Sequence, residues 1–176
     1  IGLGFVGLSL TSVLASKGYD IIGIDTDNKK CSKIINGVSP FFEPGLEKVL
    51  QNGLKKKLKI ENNFLLINSC DFIFVTVGTP QKANGSIDLS KIKKAISTIA
   101  ENLLKNNKKP IIIIKSTVIP GTTTEVILPI LEKKSNKKNG KDFGLISNPE
   151  FLQESNAIKD TEFPHAVVLG GDQTEF

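Results

Sequence analysis

The sequence predicts an α/β fold, a doubly wound parallel sheet flanked by helices, on three observations. Short apolar runs alternate with amphipathic stretches along the whole chain, the pattern of parallel strands joined by helical crossovers. The chain opens IGLGFVGLSL, a G-x-G-x-x-G at Gly2, Gly4 and Gly7 leading into a helix-like stretch. Asp25 closes the next apolar run, 18 residues after Gly7. Together these make the sheet Rossmann-like.

The elements follow in order. Residues 4–17 predict a helix with Val6, Leu10, Val13 and Leu14 on one face and Gly18 as its terminal glycine. YDIIGID predicts a buried strand. A helix over about 27–36 is closed by Gly37, and EPGLEKVLQNG (43–53) predicts another, with Pro44 in its first turn. FLLINS (64–69) and CDFIFVTVG (70–78) are strand-like, and GTPQKANGSI is a turn-rich loop. Asp88 caps a helix whose Leu89, Ile92, Ile96, Ile99 and Leu103 recur at helical spacing. PIIIIKST predicts a strand ending in hydroxyls. TTTEVILPILEKK predicts a helix that Pro129 kinks or delays, and FGLIS a further strand. NPEFLQESNAIKD predicts a loop and short helix, and HAVVLGG a last strand.

The 176 residues, 39% hydrophobic and 23% charged, suit one globular domain spanning 1–176. Met is absent, and the chain starts inside its glycine motif. The reading is therefore of a domain truncated at both ends. No apolar run reaches the roughly 20 residues of a membrane span, so no membrane association is expected. Cys31 and Cys70 form no metal spacing; reduced thiols and a cytoplasmic location are expected, with no metal. The net charge of +5 comes from lysine alone, with no arginine. Lysines cluster at 55–59, 105–109 and 133–141 without aromatic interleaving, which argues for solvated loops and against nucleic acid.

The chemistry gathers at strand ends. The glycines opening a helix suit a pyrophosphate, and Asp25 suits an adenosine ribose diol while opposing the 2′-phosphate of NADP, although Lys29 and Lys30 soften that opposition. A helix-packing glycine turn with a solvated Asp is the plain alternative. Gly78, Thr79 and Pro80 end one later strand, Ser116 and Thr117 another, Asn148 and Glu150 a third. Any one hydroxyl could merely cap a helix; polar groups at every strand end are harder to explain that way. If NPEFLQE begins a helix, Glu150 and Glu154 share a face and could bind a sugar hydroxyl or handle a proton. A solvated helix start accounts for them equally.

GLGFVGLSL, INGVSPFFEPGLE, FVTVGTP with the later DLS, KSTVIPGTT and SNPEFLQESNAIKD occur in this order along nearly the whole chain. In these stretches the sequence resembles the UDP-glucose/GDP-mannose dehydrogenases, and only their N-terminal NAD-binding domain. The resemblance implies an NAD-dependent nucleotide-sugar 6-dehydrogenase, oxidising UDP-glucose or GDP-mannose to the uronic acid in two hydride transfers through a cysteine thioester. It implies cofactor contacts at Gly2, Gly4, Val6, Gly7, Asp25, Lys30, Thr79, Thr117 and Glu154. It implies a substrate segment of Glu150, Phe151, Leu152, Gln153 and Glu154, with Thr117 and Glu150 holding and activating a water. It implies a homodimer or larger assembly through a central helix absent from this chain.

The departures matter too. The family's nucleophilic Cys lies in a C-x-P-K-D segment that does not occur here, so the chain alone is expected to be inactive. Cys31 and Cys70 do not match it and are expected to be structural. Gln153 stands where Arg is common, Ser155 where Gly is common, and His165-Ala166 where Asp-Arg is usual. The ES of FLQES leans toward the GDP-mannose branch, while UDP-glucose is the commoner substrate. A non-catalytic dinucleotide-binding module and another Rossmann enzyme, a dehydrogenase or a methyltransferase, are the rival readings.

Overall fold

The computed structural model describes residues 1–103 and 108–171. Residues 104–107, which include the start of the lysine cluster at 105–109, and residues 172–176 lie outside the described residues. The chain divides into two compact units. One comprises 1–63 and 151–167; the other comprises 64–150 and the residues from 168. Each is built on a parallel sheet, as the alternating pattern predicts.

In the first unit, α1 (Phe5–Ser16), β1 (Ile21–Ile24), α2 (Asn28–Ile35), α3 (Leu46–Lys56) and β2 (Leu58–Glu61) are followed, after the second unit, by α6 (Ala157–Glu162). β1 and β2 pair in parallel, Ile21 opposite Leu58 and Ile24 opposite Glu61. Leu3, Leu8, Cys31, Ile34, Leu46, Leu50, Leu58 and Ile60 share the core. α1 ends as Gly18 predicts: Gly18 lies at φ +101°, Tyr19 N–H donates to Leu14 C=O and Gly18 N–H to Ala15 C=O, the two-bond left-handed stop.

The deepest face of α1 is not the expected one. Leu8, Ser12, Val13 and Ala15 are buried, while Val6, Leu10 and Leu14 are only half-buried. The small side chains admit α3 at close range. A Cβ on Gly53 would stand 3.2 Å from Ala15 Cβ and 3.3 Å from the Ser12 carbonyl. Gly53 therefore sits inside α3 rather than ending it, and the helix runs on to Lys56.

In the second unit, β3 (Phe72–Val75), β4 (Ile111–Ile114) and β5 (Gly144–Ser147) form a parallel sheet in that order, crossed over by α4 (Ser90–Leu103) and α5 (Leu128–Ser135). Ile92, Ile96, Ile99 and Leu103 are fully buried along α4, as their spacing predicts, and Ser90 N–H donates to the Asp88 carboxylate at its start. Residues Thr122–Ile127 wind as one wide π turn, and α5 begins at Leu128 with Pro129 in its first turn. The proline thus delays the regular helix.

Three sequence expectations are corrected. FLLINS is a 3₁₀ helix, Phe64–Ser69, not a strand. Only Ile67 of its six residues is buried and Leu65 is 54% exposed, without the alternation of a half-buried strand. The segment at 58–61, counted among solvated lysines, is β2, with Leu58 and Ile60 inward and Lys59 outward. HAVVLGG forms no strand among the described residues beyond one antiparallel bridge, Gly170 to Ser147. Val167, Val168 and Leu169 there stay about half exposed.

Candidate functional site

The glycine loop is tied to β1 by its backbone. Gly2, at φ +93°, donates its N–H to Ile24 C=O at 2.8 Å. That left-handed geometry strains any residue with a Cβ. Leu3 is buried and donates its N–H to Asp25 Oδ2 at 2.8 Å. Gly4 caps α1 without a side chain, and a Cβ built there meets no atom within 4 Å. The front of the helix is therefore open. Leu8 N–H to Gly4 C=O is the first bond of the helix, which leaves the N–H groups of Phe5, Val6 and Gly7 facing forward. No acidic residue occupies the first turn. Donors, dipole and space together suit an anion such as a pyrophosphate.

Asp25, one residue beyond β1, is 8% exposed and accepts three hydrogen bonds. Oδ2 accepts from Leu3 N–H and, at 2.7 Å, from Lys30 Nζ. Oδ1 accepts from Asp27 N–H at 2.9 Å. Burial alone would raise the carboxyl's pKa. The Lys30 ammonium and the two backbone donors outweigh it and hold the group below its ordinary 3.8. A carboxylate offers about four acceptor positions, and three are filled, so one remains on Oδ1 for a ligand hydroxyl. Lys30 reaches Asp25 because Asp27 caps α2, accepting Lys30 N–H at 3.0 Å. Cys31 lies against the same turn, its Sγ 3.5 Å from Asp25 C=O. Burial, with Asp25's charge, pushes this thiol above its ordinary 9.0, and burial does the same for Cys70. Neither is an activated nucleophile.

In the second unit the ends of β3, β4 and β5 carry the remaining strand-end residues. Thr79 Oγ donates to Thr117 C=O at 2.6 Å, joining the VGTP and KST turns. Ser116 is buried and its hydroxyl bonds Val77 C=O at 2.7 Å, so it braces the sheet, while the Thr117 side chain is exposed. Lys115, one residue beyond β4, donates to Asn148 Oδ1 at 3.1 Å. Asn148 is buried, donates Nδ2 to Val168 C=O and takes its place in the ladder through its own N–H to Ile114 C=O. Burial pulls the Lys115 ammonium below its ordinary 10.5, and the charge of Glu150 opposes that pull. Sequence reasoning gave Lys115 no role, although a lysine between four isoleucines and two hydroxyls was the available signal.

Glu150 and Glu154 do not share a helix face. Residues 148–153 have no helical structure, 154–156 form a turn, and α6 starts only at Ala157. Pro149 and the side-chain anchoring of Asn148 keep the chain extended past β5. Glu150 belongs to the second unit, whereas Phe151, Leu152, Gln153 and Glu154 belong to the first. There the segment is fixed by two carboxylates. Gln153 N–H donates to Asp160, and Ser155 N–H and Ala157 N–H both donate to Glu43. Among the described residues no three His, Cys, Asp or Glu side chains gather as a metal set. No described helix is long and apolar enough to cross a membrane.

Comparison with known proteins agrees with this geometry. Residues 1–176 match the UDP-glucose/GDP-mannose dehydrogenase family, NAD binding domain. The GDP-mannose 6-dehydrogenase of Pseudomonas syringae pv. tomato is 44% identical over 171 residues, which are 96% of this chain and 39% of that protein. The UDP-glucose 6-dehydrogenase of Haloferax volcanii is 34% identical over 170 residues, 97% of this chain and 40% of the relative. A crystal structure of a ternary complex of GDP-mannose dehydrogenase from Pseudomonas aeruginosa superposes with a TM-score of 0.95 at 40% identity, covering 97% of this chain and 40% of that one. The chain thus spans about two fifths of the length of the curated relatives it matches. NAD is the cofactor this family domain binds, and the open helix front and a ribose-side carboxylate with one acceptor position left fit it. The chain belongs to the UDP-glucose/GDP-mannose dehydrogenase family, as its NAD-binding domain.

Proposed function

We propose that the chain is the NAD-binding part of a nucleotide-sugar 6-dehydrogenase that oxidises a sugar C6 alcohol to the carboxylate. NAD, when bound, accepts the hydride. The observation that carries this reading is Asp25, an ionised carboxylate already held by Leu3, Asp27 and Lys30 beside the open end of α1. The glycine-loop amides, with Val6 and Gly7 among them, bind the pyrophosphate. Asp25 accepts a ribose hydroxyl on the lone pair left on Oδ1, and Lys30 keeps its charge neutralised. Thr79 retains hydroxyl lone pairs for the cofactor, because its proton is directed to Thr117 C=O.

Thr117 orients a water, and Glu150 takes its proton as that water attacks the acyl carbon that the family's route leaves on the enzyme. Lys115 and Asn148 support this role: they fix the turn after β5 and give Glu150 a cationic neighbour. The segment Phe151–Glu154 contacts ligand, with Glu154 facing the cofactor. GDP-mannose is the favoured sugar nucleotide. A relative named for it reaches 44% identity, and two relatives named for UDP-glucose stand at 34% and 37%. The whole protein is a homodimer or larger.

In the complete enzyme, Glu150→Gln keeps the shape and removes the base. Hydride delivery then proceeds while hydrolysis slows by about 10²–10⁴-fold, and mass spectrometry of the quenched reaction shows the trapped acyl adduct. Thr117→Ala gives a milder form. Turnover of Glu150→Gln at the wild-type rate would end the assignment. The 176-residue chain alone produces no NADH from either sugar nucleotide; steady production would contradict the reading.

A further inference from the structure

We propose that Glu43 is a positioning residue that sets the turn carrying Gln153 and Glu154. The proposal rests on the reading of Phe151–Glu154 as a ligand-contacting segment. Glu43 lies in SPFFEPG, between α2 and α3, and is 5% exposed. Its two oxygens go to two different amides: Oε2 accepts Ser155 N–H at 3.0 Å and Oε1 accepts Ala157 N–H at 2.9 Å. These partners are 112 and 114 residues away in sequence. A buried carboxylate is expensive to keep without such donors, and bonds to it are stronger than neutral ones.

The pattern exceeds ordinary helix capping. Ala157 is the first residue of α6, and its N–H is one of the helix's unpaired donors. The local cap residue, Asn156, makes no side-chain cap bond, and its Nδ2 donates to Asp160 Oδ1 at 2.5 Å. One oxygen of Glu43 makes good that deficit. The other reaches back before the helix, to Ser155. Ser155 holds φ at +68°, a left-handed geometry that an L residue adopts only when its surroundings impose it. On the far side, Asp160 Oδ2 accepts Gln153 N–H at 3.0 Å. Glu154 therefore sits between two amides, each fixed by a carboxylate. The exposed Glu154 side chain owes its direction to that pair of clamps. With serine at this left-handed position, the chain depends on Glu43 to impose what a glycine would adopt freely.

The test uses the 176-residue chain, NAD and calorimetry, with amide exchange at Ser155 and Ala157. Glu43→Gln retains one acceptor and turns an NH₂ toward the backbone donors. It is expected to speed exchange at both amides and to weaken NAD roughly tenfold, the scale of one lost hydrogen bond. Adding Ser155→Gly is expected to restore most of the affinity, because the turn no longer needs imposing; a pure loss of α6 capping would not be rescued this way. Glu154→Ala separates the two claims. If Glu154→Ala weakens NAD while Glu43→Gln binds like wild type, the Glu43 proposal is overturned and the segment reading stands. If Glu154→Ala binds like wild type, the segment reading fails and takes this proposal with it. Should Glu43→Gln not fold, the wild-type chain still decides: Ser155 and Ala157 amides exchanging as fast as free peptide overturn the clamp, and their protection supports it.

Discussion

Asp25 and Lys115 hold matching places in the two units. Each is the first residue beyond an isoleucine-rich parallel strand, Asp25 after β1 and Lys115 after β4. Each is largely withdrawn from water. Burial works against the charge of both, yet the outcomes differ. Asp25 has three donors, one of them an ammonium, and ionises more readily than a free carboxyl. Lys115 has a neutral amide oxygen and the more remote charge of Glu150, and it gives up its proton more readily than a free lysine. The first unit has its charge organised before any ligand arrives. The second has a cation whose surroundings leave part of its desolvation uncompensated.

Removing Asp25 should have the largest effect. Asp25→Ala strips the acceptor from Leu3 N–H, Asp27 N–H and Lys30 at once. Breaking a buried pair costs about 3–5 kcal/mol. Lys30 is 27% exposed, so solvent trims that toward about 2–3 kcal/mol. Urea titration checks it. A loss no larger than that from deleting an exposed pair such as Lys57–Asp20, 47% and 85% exposed, would erase the contrast.

The contrast sharpens with pH. Asp25's folded pKa lies below 3.8, so its stabilisation is fully present above 3.8 and is lost as pH falls through the folded value. Lys115's folded pKa lies below 10.5. Its burial therefore costs stability at neutral pH, and the cost is relieved as pH rises through the folded value toward 10.5. Unfolding free energies of wild type, Asp25→Asn and Lys115→Gln across the pH range should show the first variant converging on wild type in acid. Wild type should gain on the second in alkali. A flat alkaline difference would show that Lys115 titrates as if free.

Much of this was legible in the sequence, and what was missed has physical causes. The placing of the glycine loop at a helix onset and of Asp25 at a strand end was legible because these features lie close together in the chain, where local pattern decides. β2 was missed because its alternation lasts four residues inside a lysine run, with only Leu58 and Ile60 turned inward. FLLINS and HAVVLGG were misread because apolar composition alone does not distinguish a strand from a 3₁₀ turn or an exposed apolar tail. The Glu150–Glu154 pairing failed because an i, i+4 argument presupposes a helix, and Pro149 and the anchored Asn148 deny one. Glu43 could not be read from sequence, since its partners lie more than a hundred residues away.

Smaller effects test the same picture. Ser155→Gly alone should stabilise the first unit by up to about 1 kcal/mol through relief of its left-handed backbone, seen as a raised melting temperature. A fall would mean that the serine side chain contributes more than its backbone loses. Cys31 and Cys70, both pushed up by burial, should label slowly with iodoacetamide at neutral pH in the native chain and rapidly once unfolded. Rapid native labelling of Cys31 would show that the turn behind Asp25 opens.

The choice between NAD and NADP depends on the Asp25 carboxylate. An Asp25 carboxylate with one lone pair left for a ribose hydroxyl should accept NAD and oppose a 2′-phosphate, despite Lys30 beside it. Calorimetric titration of the 176-residue chain should give NAD the tighter binding by tenfold or more, about 1.4 kcal/mol, with the preference lost in Asp25→Ala. Equal or tighter binding of NADP by the wild-type chain would contradict the account.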